Sequence, residues 1–136
     1  MKEMIYGTNS KREILDHGLC WGIEYYILSL GTHPTAYINM ATVEGIKANL
    51  YNKIIDKIDE HVHGGITYHK PYLYTEEGTV KGDFIGWDYT HIDDYVGIEN
   101  GEHESDKDKL KKWTTEDIFG LDVIPAINEI IKRVKG

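Results

Sequence analysis

Residues 83–90 read Asp83-Phe84-Ile85-Gly86-Trp87-Asp88-Tyr89-Thr90. The pattern has a period of two: Ile85, Trp87 and Tyr89 fall on one side, and Phe84, Gly86 and Asp88 on the other. Aromatic and branched side chains suit a pleated, half-buried surface, so this stretch predicts a strand. Before it, Leu73 to Lys81 predicts a polar hairpin or loop through Glu76-Glu77-Gly78. Residues 61–69 read His-Val-His-Gly-Gly-Ile-Thr-Tyr-His. Taken as a strand, they send Val62, Ile66 and Tyr68 one way and His61, His63, Thr67 and His69 the other.

Toward the N-terminus, residues 42–59 predict a helix. Thr42 is a suitable N-cap, and Val43, Ile46, Leu50, Ile54 and Ile58 form one apolar stripe. Thr35 to Met40 predicts a strand with Ala36, Ile38 and Met40 on one face, preceded by a turn at Gly31-Thr32-His33-Pro34. Leu19 to Leu30 reads as a long strand bulged at Gly22. Residues 1–18 read as an edge strand or tail followed by a short helix. Ser10 and Glu13 have capping-box spacing, and Gly18 stands where a helix would end.

Beyond the opening stretch, residues 92–113 predict a mobile acidic loop. Asp93, Asp94, Glu99, Glu102, Glu104, Asp106 and Asp108 dominate it. A final helix is expected over about 115–134, entered through Thr114-Thr115-Glu116-Asp117, with Ile124, Ile127, Ile131 and Val134 buried. Pro125 should kink this helix or mark its true first turn. Together these elements predict one α+β domain over residues 1–136. Its core is a mainly antiparallel sheet of about four to five strands, packed by two main helices.

Composition limits the function. The 136 residues carry a net charge of −8, which opposes phosphate backbones and anionic lipid. Direct nucleic-acid binding and membrane association are therefore not expected. The single cysteine, Cys20, can form no internal disulfide, which fits a reducing compartment. With no leader pattern, the expected location is the cytoplasm, the host's if the chain is phage-encoded. Ten tyrosines against two phenylalanines suit half-buried surfaces, ligand pockets or a homo-oligomeric sheet face.

Two clusters carry the candidate chemistry. The first is His63-Gly64-Gly65-Ile66-Thr67-Tyr68, where paired glycines suggest a bulge or close backbone approach to a ligand. The second is Gly86-Trp87-Asp88-Tyr89-Thr90-His91-Ile92-Asp93-Asp94, where a strand runs into a loop. Asp88 between aromatics needs a partner if buried, and His63 or His91 is the natural one. His61, His63, Asp88, His91, Asp93 and Asp94 offer metal-type donors, but their spacing matches no metal signature. No cofactor is predicted, and no nucleophile elbow or phosphate loop is present.

These two segments, together with Cys20-Trp21-Gly22 and His33-Pro34, resemble a family of small uncharacterised bacteriophage and prophage proteins. Its pattern is an HGG-T-Tyr segment followed by Gly-aromatic-Asp-x-x-His-x-x-Asp. The likeness spans roughly residues 19–134 at low density. Members often carry Cys where Tyr89 stands and a small residue where Thr90 stands, so the chain departs there. The resemblance implies a viral or prophage source and a shared polar set of His63, Thr67, Asp88, His91 and Asp94. It brings no activity with it.

The expected function is a cytoplasmic binding protein that engages a small polar or nucleotide-like ligand, or blocks a host protein, in a counter-defence role. Its expected ligand-binding residues are His63, Thr67, Tyr68, Trp87, Asp88, His91 and Asp94. Trp87 and Tyr68 would stack on the ligand. One alternative is a hydrolase using an Asp–His pair or a bound metal, with no catalytic residue assigned. Another is an acidic protein-interaction module with a structural polar core.

Overall fold

A computed structural model of the chain describes residues 12–31, 33–89 and 113–135. Five antiparallel strands form one sheet in the order β1-β2-β3-β5-β4. Strand β1 is Glu13–Cys20 and β2 is Ile23–Ser29. Their register closes on Cys20 opposite Ile23, so Trp21-Gly22 is a two-residue turn. Both turn residues have positive φ, 55° and 80°, which matches the twist of a tight hairpin. This corrects two expectations. The described part of the first segment, from Glu13 onward, is strand rather than helix, because pairing with β2 outweighs the local capping pattern. Gly22 lies in the turn between two strands instead of bulging one.

Strand β3, Pro34–Asn39, pairs with β2 on one side and β5 on the other. A 3-10 turn at Met40–Thr42 follows, with the Asn39 side chain accepting from the Ala41 N–H. Helix α1 begins only at Ala48 and runs to His61. The expected start at Thr42 fails for a local reason: Gly45 has φ +81°, outside the right-handed helical region. Thr42 works elsewhere, its hydroxyl accepting from Glu24 N at 2.9 Å and donating to Asn39 O at 2.7 Å.

Strands β4, Tyr68–Thr75, and β5, Gly78–Asp88, form the expected hairpin around Glu76-Glu77. Residues 61–67 are not strand. His61 closes α1, and the chain turns through Val62–Thr67 before β4 begins. The expected parity fails with it. Val62 and Ile66 pack with the helix-side core, whereas Tyr68 packs on the opposite face.

The final helical stretch starts with Thr114, which forms a capping box with Asp117. It runs through α2, Thr115–Ile118, a π turn at Phe119–Val123, and α3, Ile124–Lys135. Pro125 therefore lies in the first turn of α3, and the wide turn before it absorbs its missing N–H and its ring. The buried positions of α3 are Ala126, Ile127 and Ile130. Ile131 and Val134 pack at the core margin. Among the described residues, no helix is long and apolar enough to cross a membrane. The expected acidic loop lies, apart from Trp113, outside the described residues.

The described helices cover one sheet face. Ile54 and Ile58 of α1 and Ile118, Val123, Ala126, Ile127 and Ile130 meet Tyr25, Ile27, Ala36, Ile38, Ile85, Trp87 and Tyr89 there. The other face holds a second core of Tyr26, Leu28, Tyr37, Leu73 and Phe84. The sheet covers this face with its own arm. β5 pairs with β3 only from Phe84 to Asp88, so the rest of the β4–β5 hairpin is free to bend. A register shift between Lys70 and Tyr72 marks the bend. The hairpin tip then reaches the opposite edge, where Glu76 N donates to Arg12 O at 2.9 Å and Ile14 N to Glu76 Oε2 at 2.6 Å. The hairpin tip thus meets the opposite edge strand, and Arg12 at that contact also borders a cleft.

Candidate functional site

The cleft arises where β3 and β5 run side by side. Thr35 lies opposite Asp88, and Tyr37 opposite Gly86. Thr35 and Tyr37 point away from the helices because their neighbours Ala36 and Ile38 point toward them. A glycine at position 86 is required by close approach. A Cβ there would sit 2.3 Å from Tyr37 Cδ1, so the Tyr37 ring lies against bare backbone. The Tyr68 ring meets Tyr37 edge-on, with centroids 5.2 Å apart at 83°. Tyr68 Oη donates to the Tyr72 carbonyl, which holds that ring in place.

The paired glycines deliver Thr67 to this wall. Gly64 and Gly65 have φ of 69° and 83° and take the chain out of α1. Gly65 N donates to Val62 O at 3.0 Å, and Ile66 N to Asp59 Oδ1 at 2.7 Å. Those N–H groups serve the helix exit, not a ligand. Thr67 N then donates to Gly86 O at 2.9 Å, and Thr67 Oγ1 to Asp88 Oδ2 at 3.1 Å. Thr67 is thus a described partner of Asp88.

Around this wall is a cleft of about 220 Å³. Thr67, Tyr68, Trp87 and Asp88 line it, joined by Arg12, Leu30, His33, Thr35 and Tyr37. Thr35 is only 3 % exposed, yet its hydroxyl has no hydrogen-bond partner among the described residues. The Tyr37 phenol is near but outside hydrogen-bonding geometry. An unpaired buried hydroxyl costs roughly 1–3 kcal/mol, so it needs a reason. Burial pushes the His33 imidazole below its ordinary pKa, while the Asp88 charge pulls it back. Burial holds the Tyr37 phenol above its usual value.

The other expected residues fall elsewhere. His63 stacks on Tyr89 with centroids 4.9 Å apart at 7°, and meets Trp113 at 4.8 Å. This is the helix-side core. There Trp87 Nε1 donates to Tyr89 Oη at 2.9 Å, and Tyr89 Oη donates to Asp122 Oδ2. The Trp87 indole is therefore fixed in the core and cannot swing out to stack on a ligand, although Trp87 borders the cleft. Asp122 is buried, and that burial raises its carboxyl pKa against the pull of the Tyr89 hydrogen bond and of His63. His91, Asp93 and Asp94 lie outside the described residues.

His61 is exposed at the end of α1, and His69 sits 3.1 Å from Tyr51 Oη and 3.3 Å from Asp83 Oδ1. Among the described residues, no three His, Cys, Asp or Glu side chains converge as metal ligands. The structure thus gathers Thr67, Tyr68 and Asp88, and separates His63 from them by the thickness of the sheet. Arg12, His33, Thr35 and Tyr37 were missed from sequence. Strand parity placed Thr35 opposite Ala36, but only the β3–β5 pairing sets it beside Asp88. Among known proteins, no family model, curated protein or solved structure matches the chain.

Proposed function

We propose that the protein binds a small polar molecule in the cleft between Thr35, Thr67 and Asp88. The observation that carries this reading is the Thr35 hydroxyl, buried at the cleft without a partner. Such a group is costly while unpaired and becomes favourable when a ligand completes it. The carboxylate of Asp88, fixed by Thr67, adds a directed acceptor beside it. The motif resemblance supports a phage or prophage setting, in which withholding a host metabolite would serve counter-defence.

The test is native mass spectrometry of the protein after exposure to the small-molecule fraction of a bacterial extract and buffer exchange. A discrete added mass is expected, and the released compound should be chemically unchanged. A protein that takes up nothing contradicts the reading. Conversion of the compound would instead favour the hydrolase alternative, which on the described geometry would draw on His33 beside Asp88.

A further inference from the structure

We infer that the cleft is shaped for a neutral polyol the size of one monosaccharide, with a vicinal diol directed at Asp88 and Thr35. This rests on the binding reading above and narrows it to a chemical class.

Size comes first. A cleft of about 220 Å³ equals the liquid share of roughly seven waters at about 30 Å³ each. That is the size of a pentose or hexose ring, and anything larger attached to the ring would extend out of the open cleft. Charge comes second. Asp88 lines one part of the cleft and Arg12 another. The carboxylate opposes an anionic ligand and the guanidinium opposes a cationic one, so a neutral ligand meets no like charge.

Hydrogen-bonding capacity comes third. Asp88 as a carboxylate only accepts, and Thr67 already donates to its Oδ2. Thr35 brings a hydroxyl that can both donate and accept. Adjacent ligand hydroxyls match this set, because each donates once and accepts as well. An amine would supply donors alone. Finally, Tyr37 and Tyr68 stand edge to face, and Leu30 lies nearby, giving apolar walls for the C–H faces of a ring.

The test is a two-dimensional NMR titration of the ¹⁵N-labelled full chain. The probes are D-ribose, D-galactose, adenosine and the methyl furanosides of D-ribose and 2-deoxy-D-ribose, with ethanolamine and inorganic phosphate as charged comparators. A polyol should move the Thr35, Thr67 and Asp88 amides saturably, at millimolar Kd or tighter for so few atoms. D-ribose or D-galactose binding alone identifies a free sugar, whereas adenosine binding more tightly than ribose identifies a nucleoside's sugar. Loss of the vicinal diol in the 2-deoxyribofuranoside should weaken binding about threefold to tenfold relative to the ribofuranoside, and Thr35→Val should do the same to D-ribose binding. Asp88→Asn should weaken it about tenfold or more. Equal binding of the two methyl furanosides, or unchanged D-ribose binding by Thr35→Val, overturns the diol assignment. Shifts of these amides by ethanolamine or phosphate and not by polyols overturn the polyol class and leave small-molecule binding standing. If neither these probes nor the extract fraction moves any cleft amide, both readings fall.

Discussion

At the scale of single residues, Thr35 and Gly86 define the cleft, and each predicts a measurable outcome. The Thr35 hydroxyl is buried with no hydrogen-bond partner among the described residues. Replacing it by the isosteric valine removes that penalty, so Thr35→Val should stabilise the unliganded fold by about 1 kcal/mol, read as a higher urea midpoint at unchanged slope. Gly86 is required because Tyr37 occupies the space of a Cβ. Gly86→Ala should cost about 1–3 kcal/mol in the same assay and should disturb the Tyr37 ring resonances. Sequence alone made part of this visible. The alternation of residues 83–90 assigned Gly86 and Asp88 to one side correctly, because period-two burial is local. Thr35 was placed on its strand but not at the site. Its neighbour Asp88 comes from a strand far along the chain, and no local pattern encodes that pairing.

At the scale of elements, the turn out of α1 and the helical stretch around Asp122 each replace a simpler expectation. His63-Gly64-Gly65 was expected within a strand, with the paired glycines as a bulge or a close approach to a ligand. Their positive φ values instead unwind a helix, and Asp59 receives the Ile66 N–H. Gly65→Ala would force a side chain into that region 2.9 Å from Asp59 Oδ1. It should lower stability by about 1–2 kcal/mol, with shifts reaching Thr67.

The π turn and Pro125 deliver Asp122 to Tyr89 inside the core. Its folded pKa is raised above the ordinary 3.8, mainly by burial. The stabilisation tied to its protonated form is therefore complete below 3.8 and is lost as pH rises through the folded pKa. Asp122→Asn should remove that loss. The stability difference between variant and wild type should shift in the variant's favour as pH rises from about 3.5 through the folded pKa, measured by urea unfolding across pH. A difference independent of pH would contradict the assignment. Sequence pointed to Pro125 as a kink or first turn, and the structure has it in the first turn of α3. It offered no sign that Asp122 turns inward, since a carboxylate in an otherwise ordinary helical sequence reads as solvent-facing.

At the scale of the whole molecule, an antiparallel α+β sheet packed by two main helices is the expected architecture, and the structure adds that the described helices share one face. What sequence left hidden is how the other face is covered. The β4–β5 arm bends across it and meets β1 through Glu76, Arg12 and Ile14. That closure joins residues far apart in the chain, and Glu76 reads locally only as part of a polar turn. Glu76→Ala keeps the backbone bond to Arg12 but removes the carboxylate from Ile14 N. It should cost about 1 kcal/mol and speed amide exchange at Ile14 while leaving the α3 core protected. Closure and helix packing put two polar clusters on opposite sides of one sheet: the cleft of Thr35, Thr67 and Asp88, and the buried chain of Trp87, Tyr89 and Asp122. Among the described residues, the first lines a cleft and the second is buried in the core.

The most direct measurement is therefore an amide-shift map of the labelled chain with and without the small-molecule fraction of a bacterial extract. The account predicts shifts confined to the residues of the cleft, at 33–37, 67–68 and 86–88. Shifts centred instead on His63 and Asp122, or no shifts at all, would contradict it.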